Sequence, residues 1–284
     1  MSAQVSVVLP ARNESAPIGG VVMQIRALLP EAEVIVVDDG SSDSTGEAAA
    51  EAGARVICHP YSKGNGAAIK SGARAATGDV IVFMDADGQH DPTDITTLLA
   101  RLAEGYDMVV GARQPGSQAS IGRGIANRFY NRLATYMTGH KVADLTSGFR
   151  AVRAAKFREF LYLLPNGFSY PTTSTMAFFR AGYSVAYEPI HAAKRVGKSH
   201  LRPLHDGLRF LLIIFKIGTL YSPLKLFAPA AAGLFLLGSL WYLHTFIQFG
   251  RFTNMSALLY TGSVVVFMMG LISEQITALM YKDC

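Results

Sequence analysis

Two apolar runs near the carboxyl end constrain this chain more than any other feature. Leu226 to Phe249 contains no Asp, Glu, Lys or Arg, and after Arg251 the stretch from Phe252 to Ser273 is again free of them. Each exceeds the ~20 residues a helix needs to cross a bilayer. The tight connection "FGRFTN" predicts a hairpin with both ends on one side. Two helices buried in a core would share this composition, so that reading stays open. Just ahead, residues 203–225 mix Arg209, Lys216 and Lys225 with apolar side chains, which suits an amphipathic segment lying in a membrane interface. The predicted organisation is a large water-soluble domain over 1–202, an interfacial segment over 203–225 and a two-span hairpin over 226–284.

The first two hundred residues read differently. "VSVVLP", "EVIVVDD", "ARVICH", "DVIVFMDAD" and "DMVVGAR" are near-continuous apolar strands, separated by the helical stretches "ESAPIGGVVMQIRALL", "GNGAAIKSGARAA" and "PTDITTLLARLAEG". Such alternation indicates an α/β fold with a mainly parallel sheet covered on both faces. Ligands of such sheets bind beyond the carboxyl ends of the strands. Asp38, Asp39, Asp85 and Asp87 all fall there.

The strand "VIVFM" runs straight into "DADGQHDP". Carboxylates at Asp85 and Asp87, two apart on extended chain, point to one side. With the Gln89 amide they form a seat for a hard cation, Mg²⁺ or Mn²⁺. Mg²⁺ usually completes its shell from substrate phosphates, so the cluster implies a nucleotide diphosphate. Asp91 reads better as a cap on the following helix. Carboxylates at Asp38 and Asp39 suit ribose hydroxyls or a base NH. Gly64 and Gly66 would let phosphate approach a helix N-terminus closely, although a glycine pair is also what a plain turn requires.

The net charge of +5 suits anionic partners, meaning nucleotides, phosphates or an acidic membrane surface. No Lys/Arg run or aromatic-interleaved basic stripe argues for nucleic acid. Cys58 and Cys284 are the only cysteines, which predicts no disulfide framework and a reducing compartment. The start "MSAQVSVVLP" enters a strand without the pattern of a signal peptide. Basic residues concentrate on the side of the hairpin holding the large domain, as expected for a multi-pass protein of the cell inner membrane with that domain on the cytoplasmic face. His59, His140, His191 and His205 show no metal spacing and read as incidental.

In their order and spacing, "VVLPARNE", "VIVVDDGSSDST", "KGNGAAIKSG" and "FMDADGQHDP" resemble the family-2 glycosyltransferases of GT-A fold, whose Rossmann-like sheet binds nucleotide diphosphate sugars. "GAR", "DLTSGFRA" and "RVGKSH" narrow the resemblance to the polyprenyl-phosphate branch, typified by dolichol-phosphate mannose synthase and bacterial undecaprenyl-phosphate sugar transferases. The resemblance runs from about Val5 to His200. It implies that Pro10, Ala11, Glu14, Asp38, Asp39, Lys63, Gly66, Asp85, Ala86 and Asp87 hold the nucleotide sugar, with Asp85, Asp87 and Gln89 on the metal. Ala11 stands where the family carries an aromatic, and His200 where it carries a lysine.

The implied reaction moves a hexose from GDP-mannose or UDP-glucose to polyprenyl phosphate, with inversion. A monoalkyl phosphate has its second pKa near ~6 and is largely a dianion at neutral pH, so it needs cationic positioning more than a strong base. Arg113, Arg123, Arg128, Arg150, Arg195 and Lys198 are the candidate cations, with Ser199 beside them. Arg195 and Lys198 are the leading pair and, with Asp85, Asp87 and Asp144, the expected catalytic residues. Asp144 could orient the acceptor, assist proton removal or cap the turn that holds Arg150. Arg123, Arg128 and Arg132 fit acceptor contact or a solvated or membrane-facing helix side equally well. A processive polysaccharide synthase would carry Q-x-x-R-W, whereas the only tryptophan lies in "GSLWY". A soluble acceptor, or a non-catalytic scaffold binding nucleotide sugars, are the other readings. The hairpin offers a surface for homo-oligomer formation.

Overall fold

The computed structural model describes residues 4–113, 121–167, 169–191, 218–219 and 221–280, and for 121–127 and 280 only the backbone. The chain divides into two compact units, Met1–Leu201 and Arg202–Cys284.

In the first unit seven strands form one sheet in the order β3-β2-β1-β4-β6-β5-β7. They are β1 (Val5–Ala11), β2 (Glu33–Asp38), β3 (Arg55–Cys58), β4 (Val80–Phe83), β5 (Met108–Arg113), β6 (Arg150–Arg153) and β7 (Val185–Ile190). The helices between them are α1 (Ser15–Leu28), α2 (Thr45–Glu51), α3 (Asn65–Ala75), α4 (Asp94–Ala103), α5 (Ile121–Thr138), α6 (Ala154–Arg158) and α7 (Tyr170–Arg180). The mainly parallel sheet is as predicted, with one exception. Strand β6 is antiparallel to both β4 and β5, so Phe83 at the end of β4 pairs with Arg150 at the start of β6. The stretch leading into β6, from Asp144 to Phe149, therefore arrives at the carboxyl end of β4.

Side-chain alternation divides the core into two layers. Val7, Leu9, Val34, Val36, Val80 and Val82 join Ile18, Val22 and Ile25 of α1 and Ile95 and Leu98 of α4 in one buried cluster. Full burial of each such side chain contributes about 1.5–3 kcal/mol. On the other face, α3 lies so close that a Cβ on Gly72 would stand 2.3 Å from Val8 Cγ1. Phe83 meets Phe157 there with ring centroids 4.7 Å apart.

The second unit contains α8 (Pro223–Phe249) and α9 (Asn254–Met280), joined through Gly250, whose φ of 61° ends α8 in the left-handed region. Both helices are long and apolar enough to cross a membrane. Their contact follows a spacing of seven. Ala231, Gly238 and Thr245 are the buried positions within the body of α8, and Ser256, Ser263, Gly270 and Thr277 are buried on α9. Small residues at heptad spacing let two helix backbones approach closely. Ser263 Oγ donates to Ala231 O at 2.8 Å, and Tyr260 Oη meets Ser239 Oγ at 3.1 Å. At the open end of the hairpin, the Leu224 amide in the first turn of α8 donates to Glu274 Oε2 at 3.2 Å, a helix start capped by the partner helix. Residues 203–217 and 220 of the expected interfacial segment lie outside the described residues.

Candidate active site

The carboxyl ends of β1, β2 and β4 assemble one corner. The loop after β1 and the loop after β2 are tied together side by side. Asn13, the only non-glycine among the described residues with a positive φ, receives Ser42 N on its Oδ1 at 2.8 Å, and its own amide donates to Ser41 Oγ at 3.0 Å. Glu14 N donates to Thr45 Oγ1 at 2.9 Å. Pro10 and Ala11 lie level with Val37 and Asp38, and Ala11 O accepts the Asp39 amide at 2.9 Å. The Ala11 methyl is buried in the core cluster, as is that of Ala86, which leaves both residues only backbone groups to offer a ligand.

Asp38 and Asp39 are neighbours with different tasks. Asp38 Oδ1 accepts the Ser41 amide at 2.9 Å, shaping the loop after β2. Asp39 Oδ1 takes His59 Nδ1 at 2.7 Å and Lys63 N at 2.8 Å, and its Oδ2 takes Ser62 Oγ and Gly64 N, each at 2.8 Å. Both oxygens are thus satisfied by the protein. Burial alone would raise the Asp39 carboxyl, yet His59 and the two amides, with Ser62, hold it below the usual carboxylate range. Asp39 thus organises the 59–64 segment, in addition to its expected place at the nucleoside end. His59, read as incidental in the sequence, is the buried link, its Nε2 reaching Ser71 Oγ at 2.9 Å. Lys63 contributes its amide to this hub, while its side chain is exposed beside the Tyr61 ring.

The glycines at the start of α3 also have another purpose than the one predicted. Gly66 N donates to Gly167 O at 3.2 Å and Ala67 N to Asn166 O at 3.1 Å. A Cβ on Gly66 would stand 2.1 Å from Pro165 O. The helix N-terminus is covered by the 165–167 backbone, so Gly66 is a packing glycine rather than a phosphate cradle. Lys70 Nζ reinforces the contact, donating to Leu164 O at 3.1 Å.

Strand β4 ends at Phe83, earlier than expected, and Asp85 to Gly88 form a turn rather than extended chain. Asp87 Oδ1 accepts the Gln89 amide at 3.1 Å within that turn. The Asp85 side chain is 38% exposed, with His90 Nε2 3.7 Å from its Oδ2. His90 is buried against the Phe149 ring. On the other side, a Cβ on Gly148 would stand 3.3 and 3.4 Å from the two Asp85 oxygens. That glycine leaves room for the carboxylate, and the antiparallel β6 brings it there. Among the described residues no group of three or more His, Cys, Asp or Glu could hold a metal by itself. Two accessible carboxylates and an amide make an oxygen donor set that fits Mg²⁺ or Mn²⁺ with phosphate or water completing the shell.

Arg113, at the end of β5, is gripped by Asp144. Its Nε lies 2.8 Å from Asp144 Oδ2 and its Nη2 3.0 Å from Oδ1, a forked pair, and Nη2 also donates to Thr146 Oγ1 at 2.6 Å. Arg113 also feels the negative charge of Asp85. Burial would raise the Asp144 carboxyl, but the Arg113 guanidinium and the Thr146 amide hold it down. A carboxylate so occupied is a poor base, and what Asp144 does in the structure is grip Arg113. Arg150 is likewise corrected. It is fully buried, donating to Pro171 O at 3.0 Å, to Ser174 Oγ at 2.8 Å and to Ser147 O, and so meets no acceptor. Arg128 is exposed on α5. Arg195, Lys198 and Ser199 lie outside the described residues, as does the side chain of Arg123.

Comparison with known proteins gives the family of the chain. The model of glycosyl transferase family 2 matches residues 6–161, more than half of the chain. The chain belongs to glycosyl transferase family 2. Residues 222–279 match the GtrB C-terminal hairpin. Similar proteins include glycosyltransferase AglJ of Haloferax volcanii, 31% identical over 81% of this chain and 78% of that one. The undecaprenyl-phosphate 4-deoxy-4-formamido-L-arabinose transferase of Pseudomonas aeruginosa is 30% identical over 98% of this chain and 86% of that one. Among solved structures, glucosyl-3-phosphoglycerate synthase of Mycobacterium tuberculosis with Mn²⁺, UDP-glucose and phosphoglyceric acid has a TM-score of 0.62 and 26% identity, covering 76% of this chain and 80% of that one. The same enzyme bound to Mg²⁺ and UDP gives a TM-score of 0.61 at 26% identity, covering 76% of this chain and 79% of that one. The GT-A fold read from the sequence is shared with these solved neighbours.

Proposed function

We propose that this glycosyltransferase moves one sugar from a nucleoside diphosphate sugar to the phosphate of a polyprenyl lipid, at the cytoplasmic face of a cell membrane that its hairpin spans. The observation that carries the reading is the union, in one chain, of a family 2 domain with a GtrB-type hairpin. The relative matched over nearly the whole chain, named for undecaprenyl phosphate, supports the acceptor. The neighbours bound to UDP or UDP-glucose support a uridine donor ahead of GDP-mannose.

Asp38, with the backbone of Pro10 and Ala11 and with Glu14 beside them, lines the nucleoside end. Asp85, Asp87 and Gln89 would hold a divalent cation, which would neutralise charge on the departing diphosphate. Arg113, fixed by Asp144, presents its cation on the acceptor side of that cluster. Arg128, Arg195, Lys198 and Ser199 complete the expected phosphate contacts. The acceptor phosphate is already ionised at neutral pH, so no protein group has to take its proton. Attack in one step by this external nucleophile inverts the anomeric centre. Binding donor and acceptor side by side supplies the proximity.

A phosphorylated soluble acceptor is the competing reading, because the solved neighbours hold phosphoglyceric acid. The test is transfer from radiolabelled UDP- and GDP-sugars into organic-extractable lipid by purified protein given polyprenyl phosphate and Mg²⁺ or Mn²⁺. Label in the lipid fraction that depends on metal is expected. Label only in water-soluble product, with phosphoglyceric acid as acceptor, would replace the lipid reading.

A further inference from the structure

The two carboxylates of the turn after β4 are held by unequal means. Asp87 Oδ1 accepts the Gln89 amide at 3.1 Å, so its own turn sets its direction. The Asp85 side chain is 38% exposed and, among the described residues, accepts no hydrogen bond. Its ion-pair contact is His90, whose Nε2 stands 3.7 Å from Asp85 Oδ2. A side chain free to rotate loses that freedom when a cation fixes it. A neighbour that restrains it beforehand therefore raises affinity.

His90 is itself firmly seated. Its side chain is only 7% exposed. The ring packs on Phe149 with centroids 5.0 Å apart and planes tilted by 36°. Phe149 is fully buried, and its carbonyl accepts the Gly111 amide of β5 at 2.9 Å. A Cβ on Gly111 would stand 3.2 Å from Phe149 Cδ1, so the phenyl ring lies close against β5. The dipeptide Gly148–Phe149 thus meets both members of the pair. Its glycine leaves room for the Asp85 oxygens, and its ring backs the imidazole.

The two imidazole nitrogens have different surroundings. Nδ1 is buried and has no hydrogen-bond partner among the described residues. Orphaned buried N–H groups are rarer in proteins than orphaned acceptors. The hydrogen therefore belongs on Nε2, the nitrogen that faces a carboxylate. We infer that His90 is a positioning residue for the metal site, its Nε2–H steadying Asp85 and leaving the carboxylate's other oxygen for a divalent cation. This rests on the reading that Asp85, Asp87 and Gln89 hold that cation, and adds the residue that orients one of them. Outer partners of metal-binding side chains typically contribute about 10–100-fold to affinity.

Two substitutions separate positioning from packing. His90→Phe keeps a ring for Phe149 and removes the donor. His90→Gln gives up the ring and keeps an N–H donor of similar reach. Full-length protein in detergent is titrated with Mn²⁺ in the presence of UDP, with UDP alone as the reference, and paramagnetic resonance reads the free ion. His90→Phe should bind Mn²⁺ about tenfold more weakly than wild type, and His90→Gln should stay within about threefold of it. A purely structural role predicts the reverse order, because only the glutamine loses the ring contact. Mn²⁺ affinity of His90→Phe equal to that of wild type would overturn the inference. So would an equal loss in both variants, or a greater loss in His90→Gln. Absence of Mn²⁺ binding by the wild type would instead refute the metal reading, and the role of His90 would fall with it.

Discussion

His59 Nδ1 and Asp39 Oδ1 stand 2.7 Å apart in the interior, and through this pair a residue on the loop after β3 determines where the 62–64 backbone lies. Asp39→Asn would replace one acceptor oxygen by a donor facing donors. The expected cost is about 3 kcal/mol of stability, with weakened binding of the nucleotide sugar. Because the folded Asp39 carboxyl titrates below its unfolded value of ~3.9, its stabilisation is complete above that value and is lost as pH falls through the folded one. Denaturation curves of wild type and Asp39→Asn should therefore differ at neutral pH and draw together in acid. Curves that stay parallel would contradict the hub.

Two glycine substitutions should act in opposite directions. Gly66→Ala drives a methyl into the Pro165 carbonyl, 2.1 Å away, and should destabilise by about 3 kcal/mol. Gly20, inside α1, has nothing within 4 Å of an added Cβ, so Gly20→Ala should stabilise by about 0.5–1 kcal/mol. Urea denaturation of the two variants reads both signs. Were Gly66 a phosphate cradle instead, Gly66→Ala would lower donor affinity while leaving stability intact.

Asp144→Asn should separate positioning from proton transfer. With its fork to Arg113 broken, the acceptor KM should rise by about tenfold, a loss near 1.4 kcal/mol, while the donor KM stays put. The pH dependence of kcat should keep its shape, since Asp144 takes no proton. A lost acidic limb in that profile would restore Asp144 as a base.

The metal cluster should be indispensable. Chelation by EDTA, or Asp87→Ala, should cut transfer by a factor on the order of 10³. Added Mn²⁺ or Mg²⁺ should restore the chelated wild type only. Manganese paramagnetic resonance gives a readout independent of turnover, and Mn²⁺ binding to Asp87→Ala as tight as to wild type would remove Asp87 from the ligand set.

Strands β1 to β5, the carboxylates at their ends and the hairpin were legible in the sequence because hydrophobic periodicity and charge-free length are local signals. Asp85 and Asp87 were legible for the same reason, as carboxylates following an apolar run. What escaped was set by partners remote in the chain. Gly66 meets the 165–167 backbone, Asp39 meets residues 59–64, and Arg150 meets Pro171 and Ser174. A motif names such residues without saying whether they face a ligand or each other. Strand β6 was hidden too, because four residues are too few to display a period of two. Asn13, His59 and Gly148 carried no local signal beyond proximity to the motifs.

The reversal of β6 has a consequence for how such a molecule can change. Its pairing with β4 sets Phe83 against Arg150, so the approach to β6 and the turn after β4 share a border while belonging to remote segments of the chain. Insertions or exchanges between Asp144 and Phe149 can alter one side of that border without disturbing the β1–β2–β4 corner. A new acceptor specificity could thus be grafted onto an unchanged nucleotide half, provided the grafted piece keeps a residue without a side chain where Gly148 faces Asp85.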